Sequence, residues 1–478
     1  MKKSVKAKRK PKMWEALLPL IAMLVIVIIG KGVYNLRIEI LMLLAAGITS
    51  IIAVRVGVTW DEMLEEIASK IHKSMGALLL LIIVGTIIGS WMASGTIPML
   101  IYYGVQIISP RWLLVTAFLL CAIVSVATGS SWSSVSTVGV AIIGIATGFG
   151  SNLAAVAGAV VAGSYFGDKM SPLSDTTNLS PLVSGGDLYE HIKHMFWTTI
   201  PSSLIGLVIY AVLGLTSPSA GSATSETVVN MINNLDSMYN WNIIILLPMI
   251  IVLAGSIMKM PSIPVMLLSS LVASIEAIVI QGISISNVFI ANVSGFNTGM
   301  ITMETFNPDL LIPEVIKLLN RGGMMSIMGT ILLILCAFGF SGILSSAGCL
   351  EVILNKLTSS VKTEGGLILS TVISTFTLAL TTGSVHLTIL IPGELFKDIY
   401  AQRGLAPENL SRTLEDAGTV TVPLIPWSSS GAYMTACLGV ATMAYLPWAF
   451  MCYLCIVFAI IYGYTGIGIK RNKTEKIS

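Results

Sequence analysis

The amino-acid sequence predicts an all-α, polytopic membrane protein of about 11–14 membrane elements, arranged as two structural repeats with discontinuous helices. The 478 residues are 55% hydrophobic and only 11% charged, with a mean hydropathy of +0.87. In a soluble domain about a quarter of the residues are charged. Apolar runs of the length that crosses a bilayer, roughly 20 residues, recur along the chain, and short polar strings that contain Gly or Pro interrupt several of them.

The predicted membrane elements divide the chain into five parts. Clear apolar runs begin near Trp14, Leu36, Ala77, Arg111, Phe196, Asn242, Ser262, Ser326, Gly366, Ser429 and Leu446. A polar connection, 216–240, separates two sets of these runs. We therefore expect a basic N-terminal tail (1–13), a first transmembrane repeat (14–215), the polar inter-repeat loop (216–240), a second transmembrane repeat (241–464) and a basic C-terminal tail (465–478).

Both ends of the chain are basic. The N-terminal tail carries Lys2, Lys3, Lys6, Lys8, Arg9, Lys10 and Lys12, and the C-terminal tail carries Lys470, Arg471, Lys473 and Lys476. Because cytoplasmic segments of membrane proteins are enriched in Lys and Arg, we expect both termini in the cytoplasm. The basic tails are interpreted as topology signals that contact the lipid surface, and no nucleic-acid partner is expected.

Two polar strings in the first half are echoed in the second half. Thr128-Gly129-Ser130 is followed by the string 174–182, and Thr382-Gly383-Ser384 is followed by the string 415–424. Corresponding Gly- or Pro-interrupted segments in two halves are the best sequence indication of the midplane binding site of a secondary transporter. The stretch from the glycine to the acidic residue is longer in the first half, where it ends at Asp175, than in the second, where it ends at Asp416. The repeat is thus a similarity of motifs, and the sequence leaves its orientation, inverted or parallel, open.

Acidic and hydroxyl side chains in these strings are the candidate site, because an ionisable group inside a membrane is costly and is usually functional. A carboxylate among hydroxyl and amide oxygens suits a hard cation such as Na⁺, and the same carboxylate can instead bind a proton. The predicted site for the transported Na⁺ or H⁺ consists of Asp175, Thr176, Asn178 and Ser130 from the first half and Asp416 and Thr419 from the second. Further candidates are Asp168, Ser384 and His386.

Structural roles compete with these assignments. Asp175 or Asp416 could instead cap a half-helix or form a salt bridge, and Asp168 could simply pair with Lys169. His386 is a candidate proton relay or pH sensor, and helix packing is an equal alternative.

Signals of ATP-driven transport and of enzymatic activity are lacking in the sequence. There is no Gly-rich loop ending in Lys-Ser or Lys-Thr, and no large cytoplasmic domain that could accept a phosphoryl group. We therefore expect a transporter driven by ion gradients, not an enzyme, with no cofactor beyond the transported ions.

Two stretches, 162–178 and 415–433, are similar to the NhaC family of bacterial Na⁺/H⁺ antiporters. The string Gly167-Asp168-Lys169-Met170-Ser171-Pro172-Leu173-Ser174-Asp175-Thr176-Thr177 carries most of this resemblance. It implies a multi-pass protein of the bacterial inner membrane that exchanges cytoplasmic Na⁺ for external H⁺ by alternating access. The positions that match the family are Asp168, Asp175, Thr176, Asn178, Asp416 and Thr419. The run Trp427-Ser428-Ser429-Ser430 departs from the family pattern, which could mark an altered substrate.

The resemblance also implies an alternative substrate, because the family includes carriers that exchange malate for lactate and carriers of amino acids. The polar strings contain no Arg to bind a carboxylate, which favours an inorganic cation. Half-helix N-termini can bind a carboxylate without Arg, so a Na⁺-coupled organic-acid or amino-acid carrier stays open. The sequence leaves open the stoichiometry of ion exchange and whether the protein forms a homodimer.

Overall fold

A computed structural model describes residues 8–216 and 225–472, and the described chain is helical apart from its connections. Among the described residues nine helices are long and apolar enough to cross a membrane, or up to eleven if each of two bent helix pairs forms one span. The all-helical, polytopic class with broken helices is confirmed. The number of spans lies at or below the lower end of the expected 11–14.

The helices fall into two groups along the chain. The first group comprises α1 (Met13–Gly32), α2 (Ile38–Arg55), α3 (Trp60–Ser94), α4 (Thr96–Ile107), α5 (Leu113–Thr128), α6 (Ser131–Ser134), α7 (Val140–Gly148), α8 (Leu153–Met170), α9 (Asp175–Ser184) and α10 (Leu188–Thr216). A π-helical turn, Val135–Gly139, joins α6 to α7 into one continuous helix.

The second group follows residue 224. It comprises α11 (Ser225–Met238), α12 (Leu247–Ile257), α13 (Ser262–Val279), α14 (Ile285–Ser294), α15 (Pro313–Leu319), α16 (Met328–Ser346), α17 (Cys349–Ser359), α18 (Glu364–Thr382), α19 (Val385–Gln402), α20 (Pro407–Leu414), α21 (Ser429–Leu438), α22 (Thr442–Tyr445) and α23 (Phe450–Thr465). A π-helical turn, Glu415–Thr419, continues α20. Helix α11 lies within the predicted polar loop 216–240, so that connection is not a loop throughout, and 217–224 lie outside the described residues.

Each Thr-Gly-Ser string breaks a helix at its glycine. Gly129 ends α5 with φ +67°, and Gly383 ends α18 with φ +62°, a left-handed conformation that glycine adopts without a steric penalty. A Cβ atom on Gly129 would lie 2.6 Å from the carbonyl carbon of Leu173, and one on Gly383 would lie 3.0 Å from Cα of Ser428. In each half, therefore, the first break packs directly against the second.

Helix boundaries of the first half recur in the second half at one constant difference in residue number. This constant offset is the difference between Gly129 and Gly383. Helices α5 and α18 end at positions 128 and 382, α8 and α20 begin at 153 and 407, and α9 and α21 span 175–184 and 429–438. Left-handed glycines recur at the same offset, at 129 and 383, 150 and 404, and 185 and 439. The serines that cap the two short helices, Ser174 and Ser428, are related in the same way. Asp175 and Asp416 are therefore not at equivalent positions.

The two segments related by this offset, which begin with α5 and α18, start at opposite ends of the long helix α10. Near the start of α10, Glu190 binds Lys470, and the neighbouring Arg471 binds Glu364 at the start of α18. Near the far end of α10, Gly214 packs against the backbone of Arg111, just before α5. A helix of 29 residues is about 43 Å long, so α5 and α18 enter the protein from opposite sides.

Candidate functional site

A cavity of about 390 Å³ lies where the helix breaks of the two halves meet. Its polar lining includes Ser130, Ser131, Asp168, Thr176, Ser384 and Thr419. These residues come from α6, α8, α9, the break between α18 and α19, and the π-helical turn after α20. Asp175 and His386 line the cavity as well, so seven of the nine predicted site residues do; Asp416 and Asn178 do not.

Asp168 is the buried carboxylate of the cavity wall. It lies in the last turn of α8 and is 6% exposed. Ser131 Oγ donates to its Oδ2 at 2.7 Å, and Ser174 Oγ donates to its Oδ1 at 2.6 Å. Among the described residues no Lys, Arg or His nitrogen comes within 4.0 Å of this carboxylate, and Lys169 pairs elsewhere. Asp168 therefore does not pair with Lys169, the alternative role given for it above, and two hydroxyl groups donate to its carboxylate.

Three further hydroxyl groups of the cavity lining are buried. Tyr165 Oη, Thr419 Oγ1 and Ser430 Oγ have no hydrogen-bond partner among the described residues. A buried hydroxyl group without a partner is costly, so these atoms favour occupation of the cavity by water or by a cation. Together with Asp168 they offer the oxygen ligands that hard cations prefer.

Asp416 lies in a separate, fully enclosed cluster of charges. Lys169 Nζ donates to its Oδ1 at 2.5 Å, Thr198 Oγ1 donates to the same oxygen at 2.9 Å, and Arg412 Nε lies 4.0 Å from Oδ2. Asp416, Lys169 and Arg412 are all 0% exposed. This is the salt bridge given above as the alternative to an ion-binding role of Asp416. As an ion ligand Asp416 stays a prediction, but its charge is already neutralised.

Asp175 and His386 form an exposed pair at the cavity surface. His386 Nε2 lies 2.9 Å from Asp175 Oδ2, and their side chains are 57% and 71% exposed, respectively. Asp175 is the first residue of α9, and its Oδ1 accepts from the backbone N–H of Thr176 at 2.9 Å. The pair joins α9 of the first half to α19 of the second, and both residues stay predictions as ion ligands.

The other predicted site residues hold the helix breaks together. Ser130 caps α6 by accepting from the N–H of Ser133, and Thr176 Oγ1 lies 3.1 Å from Ser174 Oγ. Asn178 Nδ2 donates to the carbonyl oxygens of Pro172 and Ser174, outside the cavity. Asn178 thus stabilises the break before α9.

Several site residues were not selected from the sequence. Ser131, Ser174, Tyr165 and Ser430 contact Asp168 or line its cavity. The constant offset between the halves would have identified Ser174 and Ser428 as equivalent helix caps. Nothing in the sequence distinguishes Tyr165 from other aromatic residues of apolar runs.

The cavity wall joins the two halves. The rings of Trp132 and Tyr433 stack with centroids 4.1 Å apart, and Tyr433 Oη donates to the carbonyl oxygen of Trp132 at 3.2 Å. Ser180 Oγ of α9 donates to the buried carboxylate of Glu415 at 2.8 Å. A relative motion of the halves would therefore change the shape of the cavity.

Comparison with known proteins fixes the family. Residues 163–467 match the profile of the Na⁺/H⁺ antiporter family. The chain belongs to that family. A Haemophilus influenzae protein described as an uncharacterized Na(+)/H(+) antiporter is 48% identical over 97% of this chain and 98% of its own length. The Na(+)/H(+) antiporter NhaC of Alkalihalophilus pseudofirmus is 38% identical over 96% of each chain, which confirms the NhaC resemblance.

Relatives with other substrates match equally long parts of the chain. The malate-2H(+)/Na(+)-lactate antiporter of Bacillus subtilis is 33% identical over 98% of each chain. The arginine/ornithine antiporter ArcD of Halobacterium salinarum is 34% identical over 98% of this chain and 95% of its own length. The protein is thus a multi-pass secondary antiporter of the NhaC family and not an enzyme, and membership of the family leaves the substrate unresolved.

Proposed function

We propose that this protein is a Na⁺/H⁺ antiporter that exchanges cytoplasmic Na⁺ for external H⁺ by alternating access, with Asp168 as the carboxylate that binds either ion. The observation that carries the proposal is the setting of Asp168. Its carboxylate is buried, lines a cavity, and is contacted by two hydroxyl groups and no cationic side chain of the described chain.

Competition between the two ions follows from this setting. An ionised carboxylate in a buried site is costly unless a cation or a proton neutralises it. Na⁺ and H⁺ would each neutralise Asp168, and the two cannot occupy the same oxygen at once. If only the neutralised site changes access, each Na⁺ that leaves is exchanged for an entering proton.

The architecture supports alternating access. We propose that the segments related by the constant offset are the cores of two structural repeats, within the predicted boundaries 14–215 and 241–464, and that they are inverted because they start from opposite ends of α10. Midplane sites between inverted repeats with broken helices are typical of secondary transporters. We place the protein in the bacterial inner membrane with both basic termini in the cytoplasm.

A second candidate function is the transport of a small organic acid or an amino acid, coupled to Na⁺. A cavity of about 390 Å³ is larger than a bare cation requires, and Lys73 and His386 line it as potential carboxylate partners. The relatives named for malate/lactate and for arginine/ornithine exchange match nearly the whole chain. Among the described residues neither Lys73 nor His386 contacts Asp168, so the carboxylate of an organic solute and Na⁺ would occupy different parts of one cavity.

Proteoliposomes with an imposed pH gradient distinguish these functions. We expect NaCl alone to dissipate the gradient in vesicles that contain the wild-type protein, and not in vesicles that contain Asp168→Asn. Vesicles with KCl, LiCl, malate, lactate, arginine or ornithine serve as comparisons. A response that requires an organic solute together with Na⁺ would replace the first candidate by the second.

A further inference from the structure

A second cavity, of about 370 Å³, lies on the other side of α21. Its polar lining includes Lys31, Arg37, Ser326, Thr330, Thr435 and Thr442. Lys31 Nζ donates to Asn35 Oδ1 at 2.7 Å, and Arg37 pairs with Glu39 at 2.7 Å. Glu39, which also lines the cavity, balances the charge of Arg37, whereas Lys31 donates to a neutral amide. The hydroxyl groups of Ser326, Thr330, Thr435 and Thr442 form the polar surface beside α21.

Helix α21 exposes opposite faces to the two cavities. Ser429, Ser430 and Tyr433 line the cavity of Asp168, whereas Ala432 and Thr435 line the second cavity. At 3.6 residues per turn the two sets of side chains point about 140° apart. An α-helix with its side chains is about 10–12 Å across, so the thickness of one helix separates the cavities.

The two cavities lie toward opposite sides of the protein. The second cavity touches the connection between α1 and α2. Helix α1 begins on the side of the N-terminus, so this connection lies on the opposite side. The first is lined by Lys73, Ala77 and Leu80 of α3, a helix that begins after α2 has returned to the N-terminal side. The first cavity thus extends toward the side of the N-terminus and the second toward the opposite side.

Polar contacts with several elements hold α21 in place. Tyr433 Oη donates to the carbonyl oxygen of Trp132 at 3.2 Å, Thr442 Oγ1 donates to that of Gly431 at 3.2 Å, and Arg321 Nη2 donates to that of Cys437 at 3.0 Å. The backbone N–H and Oγ of Ser429 both donate to the carbonyl oxygen of Gly383 at 3.1 Å, and Thr435 Oγ1 lies 2.9 Å from Thr442 Oγ1. Both ends are capped locally, by Ser428 and by the left-handed Gly439, so the helix keeps its backbone hydrogen bonds when it moves as a unit.

We propose that the second cavity is the far end of the ion pathway, a vestibule for the hydrated monovalent cation, and that α21 is the gate between this vestibule and Asp168. The proposal rests on the proposed cation antiport. In the arrangement described here α21 closes the pathway on the side opposite to the termini. Movement of α21 away from Gly383 and Thr442, which also releases its contacts with Trp132 and Arg321, opens it to the vestibule.

Cysteine labelling tests the location of the gate. The six native cysteines are buried, which gives a low background. We expect a membrane-impermeant maleimide to label Thr435→Cys only from the side opposite to the termini and Ser430→Cys only from the side of the termini. Labelling of both variants from one side, or of either from the wrong side or from neither, would overturn the assignment. This readout does not depend on which solute is transported, so it separates failure of the gate from failure of the proposed function.

A reversible cross-link tests the movement. The hydroxyl groups of Thr435 and Thr442 are close enough for a Thr435→Cys/Thr442→Cys pair to form a disulfide. We expect the oxidised variant to lose at least about tenfold in exchange rate and the reduced variant to regain it, with both single variants as controls insensitive to the oxidant. Full exchange by protein whose disulfide is shown to be formed by mass spectrometry would overturn the gate.

Discussion

Asp168 and Asp416 are two buried carboxylates in the helix breaks of one membrane protein, but their surroundings differ in kind. Asp168 is contacted by the hydroxyl groups of Ser131 and Ser174 and faces a cavity. Asp416 is contacted by Lys169 and lies near Arg412, and it does not line the cavity of Asp168. The comparison teaches that burial alone does not identify an ion ligand, because a cationic side chain neutralises one of these carboxylates and hydroxyl dipoles leave the charge of the other unbalanced.

The largest expected effect is at Asp168 itself. Asp168→Asn retains the shape of the side chain but removes the negative charge and replaces one acceptor oxygen with an NH2 donor. We expect Na⁺-dependent exchange to fall by at least about 100-fold, because the loss of a buried counter charge costs several kcal/mol. The initial rate of pH-gradient dissipation in proteoliposomes measures this, and a rate within about threefold of wild type would remove Asp168 from the mechanism.

Asp416→Asn is expected to lower mainly the stability of the folded protein, rather than ion transport directly. It leaves Lys169 buried without its partner, and breaking a buried ion pair typically costs about 3–5 kcal/mol. We expect a large fall in the thermal midpoint of the purified protein, and a substantial recovery in the double variant Lys169→Met/Asp416→Asn. A single variant as stable as wild type would contradict the description of Asp416 as a structural ion pair.

A smaller effect is expected when a hydroxyl group that donates to Asp168 is removed, which tests the difference between the surroundings of Asp168 and those of Asp416. Ser131→Ala removes a hydrogen bond to the carboxylate proposed to bind Na⁺, and a hydrogen bond to a charged group is worth about 1.5–3 kcal/mol. We expect the Na⁺ concentration for half-maximal exchange to rise about tenfold. Ser134→Ala is the matched control, because its hydroxyl group donates to a backbone carbonyl of α5 on the same segment. Equal changes in both variants would show a packing effect only.

The smallest effect is expected at the exposed pair. Asp175→Asn removes an ion pair with His386 in which both side chains are exposed, and exposed ion pairs contribute about 0–1 kcal/mol. We expect less than a threefold change in exchange rate, and a smaller difference at high ionic strength because salt screens exposed charges. Initial rates in low and high choline chloride test this, and complete loss of exchange would move the ion site to Asp175.

The sequence was sufficient for the class of fold and for the neighbourhood of the site. Apolar runs predicted the spans, and the two Thr-Gly-Ser strings predicted breaks that the structure places at Gly129 and Gly383. Acidity alone pairs Asp175 with Asp416, but these two residues lie at unequal distances from Gly129 and Gly383 in the chain. The helix-capping serines, Ser174 and Ser428, are the equivalent positions and have equal spacings, a pattern that was present in the sequence.

The partners of the charged residues could not be predicted. Lys169 follows Asp168 in the chain, but successive residues of a helix point about 100° apart, so the two side chains face different neighbours. Asp168 thus points to the first break of its own half, and Lys169 points across to α20 and its π-helical turn. Which neighbour each side chain meets depends on the packing of helices that are far apart in sequence.

Exchange of ²²Na⁺ for unlabelled Na⁺ across proteoliposomes tests the central claim most directly, because it requires cation binding and a change of access but no proton transfer. Asp168→Asn and the charge-neutral Lys169→Met/Asp416→Asn would be compared with wild type at equal protein content. We predict no exchange above background for Asp168→Asn and readily measurable exchange for the double variant. Exchange by Asp168→Asn together with none by the folded double variant would place the ion at Asp416 and contradict the assignment of Asp168.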